Sequence, residues 1–278
     1  RQVFAGQECV FPVSVFDPIS ARIASMLGYE IAMLPGSVAA AVALTAPDLV
    51  LLTLTELAAQ VRGISRSSDL SLMVDADHGF GNALNVGRTV QELESAGASA
   101  ITIEDTNLPT PFGQSAPKLI STDEMTGKLH AALSARTDPS FIIVARTISL
   151  AQESSDQAMN RIIAYSDTGV DALFLAGTPR GRDDVIAAHR ATSLPLILGR
   201  TPAVLNDPSF LAENRVRVAL EGQPPFRAAI QAVYEVMKSL REGNPIEQLE
   251  GRLASDEFLN TVTRKGLFDK SQNDYLAL

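Results

Sequence analysis

Residues Leu70 to Asn85 read LSLMVDADHGFGNALN, and the interpretation of the whole chain starts from this stretch. Its apolar run ends at Asp75 and Asp77, and a glycine-flanked turn follows directly. Because an unpaired buried carboxylate is costly, acids placed at the end of a buried strand indicate a cavity or a bound cation. Residues at i and i+2 of a strand point to the same side, so these two carboxylates can share one ion.

Two interpretations of this stretch follow from the residues alone. In the first, the carboxylates hold a hard divalent cation together with waters; Mg²⁺ is the usual occupant of such oxygen sites, and Mn²⁺ is the alternative. In the second, the stretch is a polar loop whose Asp residues cap the next helix. We leave His78 outside the catalytic set, because a His beside a turn glycine more often supports a site through hydrogen bonds.

The chain repeats a short apolar run, a polar or glycine-bearing turn and a longer segment with helical spacing, about eight times over. The predicted strands are Val10 to Val15, Ile31 to Leu34, Leu72 to Val74, Ala100 to Ile103, Phe141 to Ala145, Ala172 to Ala176, Pro195 to Leu198 and Val216 to Leu220. The predicted helices are Pro18 to Leu27, Thr55 to Arg66, Val86 to Ala96, Thr122 to Ala135, Asp156 to Thr168, Arg182 to His189, Pro208 to Asn214 and Phe226 to Arg241. Strict alternation implies parallel strands with right-handed crossovers, and eight units favour a closed (β/α)8 TIM barrel over an open sheet.

We expect a barrel domain over residues 1–242 and a helical extension over residues 243–278. A chain of 278 residues suits one barrel, and its apolar pattern changes after Gly243. A closed barrel leaves no face that the extension must cover. The extension therefore packs either on another subunit or on the outside of its own barrel.

Composition narrows the class of protein. A hydrophobic content of 46 % and a charged content of 20 % are typical of a soluble globular chain, and no apolar run has the length of a membrane span. The formal net charge of −9 argues against a nucleic-acid partner. Cys9 is the single cysteine, so we expect no disulfide framework and a cytoplasmic location.

The chemistry of a parallel barrel lies at the C-terminal ends of its strands, so the residues after each apolar run are candidates. In chain order these are Gly36 and Ser37, Asp75 and Asp77, Glu104 and Asp105, Arg146 and Thr147, Gly177, Gly199, and Glu221, Gly222 and Gln223. Arg146 could hold a substrate carboxylate through two hydrogen bonds, and Ser37 with neighbouring amides could bind an oxyanion. The alternative for Arg146 is a salt bridge with Glu104 or Asp105.

The motifs VDADHGFGNALNVGRTV, TIEDTNLPTPFG and FIIVART resemble the isocitrate lyase and phosphoenolpyruvate mutase superfamily. SVFDPISARIASMLGYE and MLPGSVAAAVALTAPD extend the resemblance, which runs from Val13 to about Tyr234. The resemblance implies a (β/α)8 barrel, Mg²⁺ near the Asp-x-Asp pair, small 2-oxo or 2-hydroxy carboxylic acid substrates and enolate intermediates. It also implies homotetramers in which the terminal helix is exchanged between barrels, which would account for the segment after Gly243.

The resemblance also implies roles for single acids. Asp77 matches the principal metal-coordinating Asp of the superfamily, and Asp75 and Glu104 contribute to the metal site directly or through water. Asp48, within the TAPD segment, matches another acid near the metal and is assigned to catalysis.

The implied substrate site combines small, cationic and amide groups. Gly36 and Ser37 match the site for the substrate carboxylate and carbonyl, and Arg146 matches the carboxylate clamp and is assigned to catalysis as well. Gln223 completes the set after the eighth strand, where the oxaloacetate decarboxylases of the superfamily place a His. Ile148 stands where an Asn commonly follows the Arg-Thr pair, and both differences leave the choice of substrate open.

The loop from Thr106 to Ile120, TNLPTPFGQSAPKLI, separates the members of the superfamily. Isocitrate and methylisocitrate lyases carry Lys-Lys-Cys-Gly-His there, so their reaction is disfavoured. Phosphoenolpyruvate mutases carry a Lys soon after the Glu-Asp pair and a later Asn-Ser, and neither is evident. The Leu-Pro and Phe-Gly pairs resemble those of the oxaloacetate decarboxylases.

We therefore expect a Mg²⁺-dependent carboxy-lyase that decarboxylates oxaloacetate or a similar 2-oxo diacid through a metal-bound enolate. Three alternatives stay open. The first is a carbon–carbon lyase acting on a substituted malate or 2-methylisocitrate, and the second is a phosphonopyruvate mutase or hydrolase. The third is a non-catalytic barrel that binds a 2-oxo acid.

Overall fold

The computed structural model describes residues 1–116, 118–199, 205 and 207–276. Within them, eight strands form one parallel sheet whose spatial order is the chain order. The strands are β1 Val13–Ser14, β2 Ile31–Leu34, β3 Ser71–Asp75, β4 Ala100–Glu104, β5 Ile142–Thr147, β6 Ala172–Leu175, β7 Leu196–Leu198 and β8 Val216–Ala219. The Val10 N–H donates to the Arg217 carbonyl at 2.9 Å, and the Ala219 N–H donates to the Val10 carbonyl at 3.0 Å. These bonds join the two edges of the sheet, and the predicted (β/α)8 barrel is confirmed.

The helices are α1 Gln2–Ala5, α2 Pro18–Met26, α3 Gly36–Leu44, α4 Leu54–Ser65, α5 Ala83–Ser95, α6 Thr122–Ala135, α7 Ser149–Gln152, α8 Ser155–Asp167, α9 Arg182–Ala191, α10 Pro208–Glu213, α11 Pro224–Arg241, α12 Asp256–Val262 and α13 Lys265–Leu276, with a 3-10 helix at Ile246–Leu249. Side-chain caps fix several of their starts. Asp17 accepts from the Ser20 N–H ahead of a first-turn proline, and Thr53 accepts from the Glu56 N–H. All eight predicted helices form within a few residues of their expected bounds, and the caps, which depend only on neighbouring residues, account for the close agreement at several starts.

Three differences from the predicted elements have local causes. Helix α3 was not predicted, because GSVAAAVAL is apolar on every side and lacks an amphipathic period. Helices α1 and α7 are single short turns and were also missed. The first strand was predicted too long: only Val13–Ser14 pairs regularly, and Val10 makes a separate bridge beyond Pro12, which has no N–H to donate.

The core has two parts, because every barrel strand buries both of its faces. Side chains that point outward pack under the helices, with Leu34, Val74, Ile101 and Ile143 among those fully buried. Side chains that point inward fill the barrel; they include Met33, Met73, Ile142, Val144, Phe174 and Ile197. The cavity described below lies above this inner cluster, at the C-terminal ends of the strands.

The segment after α11 returns to its own barrel. Leu249 and Val262 are buried, and α12 packs against α2. By contrast, none of the residues of α11, all of which the structure describes, is buried. The division at residue 242 and the exchange of this segment between subunits stay predictions. No helix in the described part of the chain is both long enough and apolar enough to span a membrane.

Candidate active site

A cavity of about 190 Å³ opens at the C-terminal ends of the strands. Polar side chains that line it are Ser14, Ser37, Asp48, Asp75, Arg146 and Gln223. Asp75 ends β3, Glu104 ends β4 and Arg146 lies one residue before the end of β5. The strand ends thus bring together residues that are far apart in the chain, as expected for a parallel barrel.

The acid turn, residues 75–81, joins β3 to α5. Asp77, Gly79, Phe80 and Gly81 all have positive φ, with 47° at Asp77 and 82° at Gly79. Glycine is required at Gly79, since a Cβ there would lie 2.4 Å from Val86 Cγ2. Burial, then the charge of Lys128, lowers the pKa of His78 to about 4, so this imidazole is neutral at pH 7.

Arg146 forms the central ion pairs of the site. Its Nη1 donates to Asp75 Oδ2 at 2.5 Å, and its Nε lies 3.1 Å from Glu104 Oε2. The guanidinium also lies over the Phe174 ring, 5.4 Å from the ring centroid. Of the salt bridges offered by the sequence, the one with Glu104 is present. Asp105 turns away and accepts hydrogen bonds from Thr147 Oγ1 at 2.7 Å and Tyr165 Oη at 2.8 Å.

The carboxylate of Asp77 is buried and lacks a hydrogen-bond donor. The residue is 8 % exposed, and no group in the part of the chain that the structure describes donates to its side-chain oxygens. Burial, and then repulsion by Asp75, Glu104 and Asp48, raises the pKa of Asp77 to about 8. A carboxylate in this position takes up either a proton or a cation.

The other acids respond to the same crowding. Burial is the main reason why the pKa of Glu104 rises to about 7, and Arg146 opposes that rise. The pKa of Asp48 is also raised, first by desolvation and then by Asp75, although this side chain is exposed at the rim of the cavity. Four carboxylates thus face one guanidinium at the strand ends.

A divalent metal ion fits this donor set through partial coordination. Among the described residues, no group of three or more His, Cys, Asp or Glu side chains is arranged to hold a metal on its own. Mg²⁺ is commonly held by one or two carboxylates, with water and substrate completing its coordination. The unpartnered Asp77 carboxylate, crowded by other acids, meets that requirement.

The substrate residues predicted from sequence lie beside this group. A Cβ at Gly36 would come 2.5 Å from Asp77 Oδ1, so the missing side chain leaves room for the carboxylate. Gly36 and Ser37 form the first turn of α3, where backbone N–H groups have no partner within the helix. Gln223 Nε2 donates to Ser37 Oγ at 2.6 Å across the cavity mouth.

Two residues of the site were missed from sequence. Phe174 belongs to the inner core cluster and lines the cavity beneath Arg146, but it reads as an ordinary strand residue. Lys128 is 3 % exposed and donates from Nζ to the His78 carbonyl at 3.1 Å. The sequence pattern could have indicated Lys128, because this charged residue interrupts the apolar stripe formed on α6 by Met125, Leu129 and Ala132.

The barrel, with carboxylates and one arginine gathered at its strand ends, has the form of a metal-assisted enzyme of small organic acids. Residues 1–241 match the sequence model of the family described as phosphoenolpyruvate phosphomutase. The chain belongs to this family, within the isocitrate lyase and phosphoenolpyruvate mutase superfamily, and the resemblance noted from its motifs is confirmed.

The names of several similar proteins refer to small carboxylic acids. An oxaloacetate decarboxylase of Rhodopseudomonas palustris (strain BisA53) is 50 % identical over 279 residues, covering 100 % of this chain and 96 % of the relative. The structure of a phosphonopyruvate hydrolase complex with oxalate and Mg²⁺ is 27 % identical with a TM-score of 0.87, covering 99 % of this chain and 96 % of that one. The structure of an oxaloacetate acetylhydrolase with the inhibitor 3,3-difluorooxalacetate is 25 % identical with a TM-score of 0.81, covering 99 % and 95 %.

Proposed function

We propose that this protein is a divalent-metal-dependent oxaloacetate decarboxylase, a carboxy-lyase that converts oxaloacetate to pyruvate and CO₂. The observation that carries the proposal is the buried, donor-free Asp77 carboxylate, crowded by other acids beside the first turn of α3. The 50 % identity with an oxaloacetate decarboxylase over the whole chain supports the same substrate.

The metal would be held by Asp77, with Asp75 and Glu104 contributing directly or through water. When bound, Mg²⁺, or Mn²⁺ in its place, would polarise the 2-oxo group and stabilise the negative charge that develops as CO₂ leaves. The superfamily relative whose structure contains Mg²⁺ and oxalate supports a metal beside a small dicarboxylate in this fold.

The chain's own residues would bind and orient the diacid. The free N–H groups of Gly36 and Ser37 at the start of α3 can donate hydrogen bonds to a substrate carboxylate, and Gln223 fixes the Ser37 hydroxyl. Arg146 has five N–H donors, of which Asp75 and Glu104 engage only part, so the remainder can contact a substrate carboxylate. A cavity of about 190 Å³ is suited to a small acid.

Arg146 is a preoriented clamp in this arrangement. Its two carboxylate partners and the Phe174 ring hold the guanidinium before substrate arrives. Little reorganisation is then needed on binding, which lowers the barrier of the following step. Loss of the distal carboxyl group needs no protein base, since the electrons of the broken bond move toward the 2-oxo group.

A substrate panel tests the proposal. Purified protein with Mg²⁺ is assayed against oxaloacetate, 2,3-dimethylmalate, 2-methylisocitrate and phosphonopyruvate, and a protein-free Mg²⁺ blank corrects for spontaneous decarboxylation. We expect oxaloacetate to react fastest, with stoichiometric pyruvate, and a chelator to abolish the reaction. Faster cleavage of a malate, of 2-methylisocitrate or of phosphonopyruvate would assign the enzyme to that reaction instead. If no compound reacts, the protein is better described as a non-catalytic barrel that binds a 2-oxo acid.

Helix α11 supports assembly into a homotetramer. Its apolar stripe of Ile230, Val233, Tyr234 and Met237 is 54 to 66 % exposed, at the i, i+3, i+4 and i+7 spacing that normally faces a core. Light scattering coupled to gel filtration should give about four times the chain mass of 29.6 kDa. A monomeric mass would show that the homotetramer is wrong.

The single cysteine suits a cytoplasmic location.

A further inference from the structure

Three successive carbonyl groups of the acid turn are each held by a different element. The Glu104 N–H of β4 donates to the Asp77 carbonyl at 2.8 Å. Lys128 Nζ, from α6, donates to the His78 carbonyl at 3.1 Å, and Thr89 Oγ1, from α5, donates to the Gly79 carbonyl at 3.0 Å. The turn is therefore fixed from three sides by groups that lie behind the cavity.

The turn needs such support because of its backbone conformation. Asp77 has φ of 47° and Phe80 has φ of 61°, in the left-handed region that side chains disfavour. Residues keep this conformation only where the surrounding structure holds them. The left-handed Asp77 is the residue that places its carboxylate against Gly36.

Lys128 is the charged member of the three donors. It is 3 % exposed, and the structure places no carboxylate within 4 Å of its ammonium among the residues it describes. Among the described residues, its ammonium donates a hydrogen bond to the His78 carbonyl alone. Burial lowers the pKa of Lys128, and the more distant carboxylates of Glu124 and Glu104 oppose this only in part. Burying an ammonium on the apolar face of α6 with one neutral hydrogen bond is therefore unfavourable, and a purely structural role explains Lys128 poorly.

We propose that Lys128 is a positioning residue of the active site. Its ammonium holds the His78 carbonyl and thereby keeps Asp77 in the left-handed conformation that places its carboxylate against Gly36. The effect of Lys128 on turnover rests on the proposed function, whereas its effect on the turn does not.

Two variants and a matched control test the role of Lys128. Lys128→Met removes the ammonium but fills the same space, and Thr89→Val removes the neutral donor to the next carbonyl. The control is Leu129→Ala, which creates a cavity at the adjacent, fully buried position of α6 without touching the turn. Each protein is measured for Mn²⁺ binding by the electron paramagnetic resonance signal of the free ion, for kcat and KM with oxaloacetate, and for Tm.

We expect Lys128→Met to weaken Mn²⁺ binding and to lower kcat by about 10- to 100-fold, the range typical for partners of metal ligands. Thr89→Val should show a smaller loss in the same direction, and Lys128→Arg should recover part of the affinity. Leu129→Ala should lose more in Tm than Lys128→Met and keep wild-type Mn²⁺ affinity. Hydrogen exchange of the peptide covering residues 75–81 should quicken in Lys128→Met, to a smaller extent in Thr89→Val, and not in Leu129→Ala.

Wild-type Mn²⁺ affinity and exchange rates in Lys128→Met would overturn the positioning role. So would an equal loss of affinity in Leu129→Ala, since the effect would then follow stability alone. If the wild-type protein binds Mn²⁺ but leaves oxaloacetate intact, the proposed function is wrong. The comparison of Mn²⁺ affinity between the wild-type protein and Lys128→Met then still tests the role of Lys128. If the wild-type protein binds no Mn²⁺, the proposed metal site is wrong. The exchange rates of residues 75–81 in the wild-type protein and Lys128→Met then test whether Lys128 holds the turn.

Discussion

Replacing Gly36 with alanine should inactivate the enzyme without unfolding it. The added Cβ would lie 2.5 Å from Asp77 Oδ1, 3.2 Å from Asp77 Cγ and 3.4 Å from Oδ2. Carbon and oxygen need about 3.5 Å, so the carboxylate must move by about 1 Å. A displacement of that size can lower a catalytic rate by about 100-fold, which corresponds to about 2.7 kcal/mol in activation free energy.

The same substitution should have little effect on the free energy of unfolding. Gly36 is the first residue of α3, and the clash falls on the carboxyl end of the Asp77 side chain rather than on backbone, so the side chain can shift while the helix stays in place. The matched control is Gly63→Ala in α4, where the nearest atom to an added Cβ is Pro18 Cγ at an ordinary 3.7 Å. We expect the control to keep full activity and to be slightly more stable.

The assay is kcat/KM for oxaloacetate with saturating Mg²⁺, measured beside thermal unfolding by circular dichroism. Full activity in Gly36→Ala would refute the argument, because the Asp77 carboxylate would then tolerate displacement or would not take part. A Tm that falls in step with activity would also refute it, since loss of the fold would be sufficient to explain the result.

Further predictions concern charge, a buried network and the cavity mouth. Asp77→Asn should abolish activity yet raise the Tm at pH 7 in the presence of a chelator. The pKa of Asp77 is raised from 3.8 to about 8, so between these values the folded state binds more protons than the unfolded state. The stability of the wild-type protein should therefore fall as pH rises through that window. Parallel Tm-against-pH curves for the two proteins would count against this. Tyr165→Phe removes a donor to the buried Asp105 and should cost about 1 to 3 kcal/mol, measured by urea unfolding; a change under about 0.5 kcal/mol would show the network to be dispensable. Gln223→Ala frees the Ser37 hydroxyl and should raise KM for oxaloacetate by roughly 2- to 12-fold with kcat little changed, whereas an unchanged KM would remove Gln223 from the substrate site.

The elements that could be predicted closely are those whose signals are local. Strand Ile31–Leu34 and helix Thr122–Ala135 agree with the prediction to the residue, since a turn or a cap marks each boundary. Helix Gly36–Leu44 was missed for the opposite reason, because a segment that is apolar all round carries no helical period. Its first turn is nevertheless part of the candidate site.

Ion pairs between side chains at the ends of different strands were harder to predict from sequence. The sequence placed Arg146 among acids but left open whether it binds substrate or a carboxylate, and Asp75 was not considered as its partner. Only the register of β3, β4 and β5 around the barrel brings Asp75 and Glu104 to the same guanidinium. The assignments of the metal and substrate residues stay predictions until the variants above are measured.

The sequence by itself determined the barrel, the superfamily and which acids follow the third and fourth strands, because alternating apolar runs, caps and short motifs consist of neighbouring residues. The tertiary structure decided how those residues act together. It placed Asp77 against Gly36, paired Arg146 with Asp75 and Glu104, and set the buried Lys128 behind the acid turn. Burial and distances between residues far apart in the chain set these interactions, and neither quantity has a local signature in sequence.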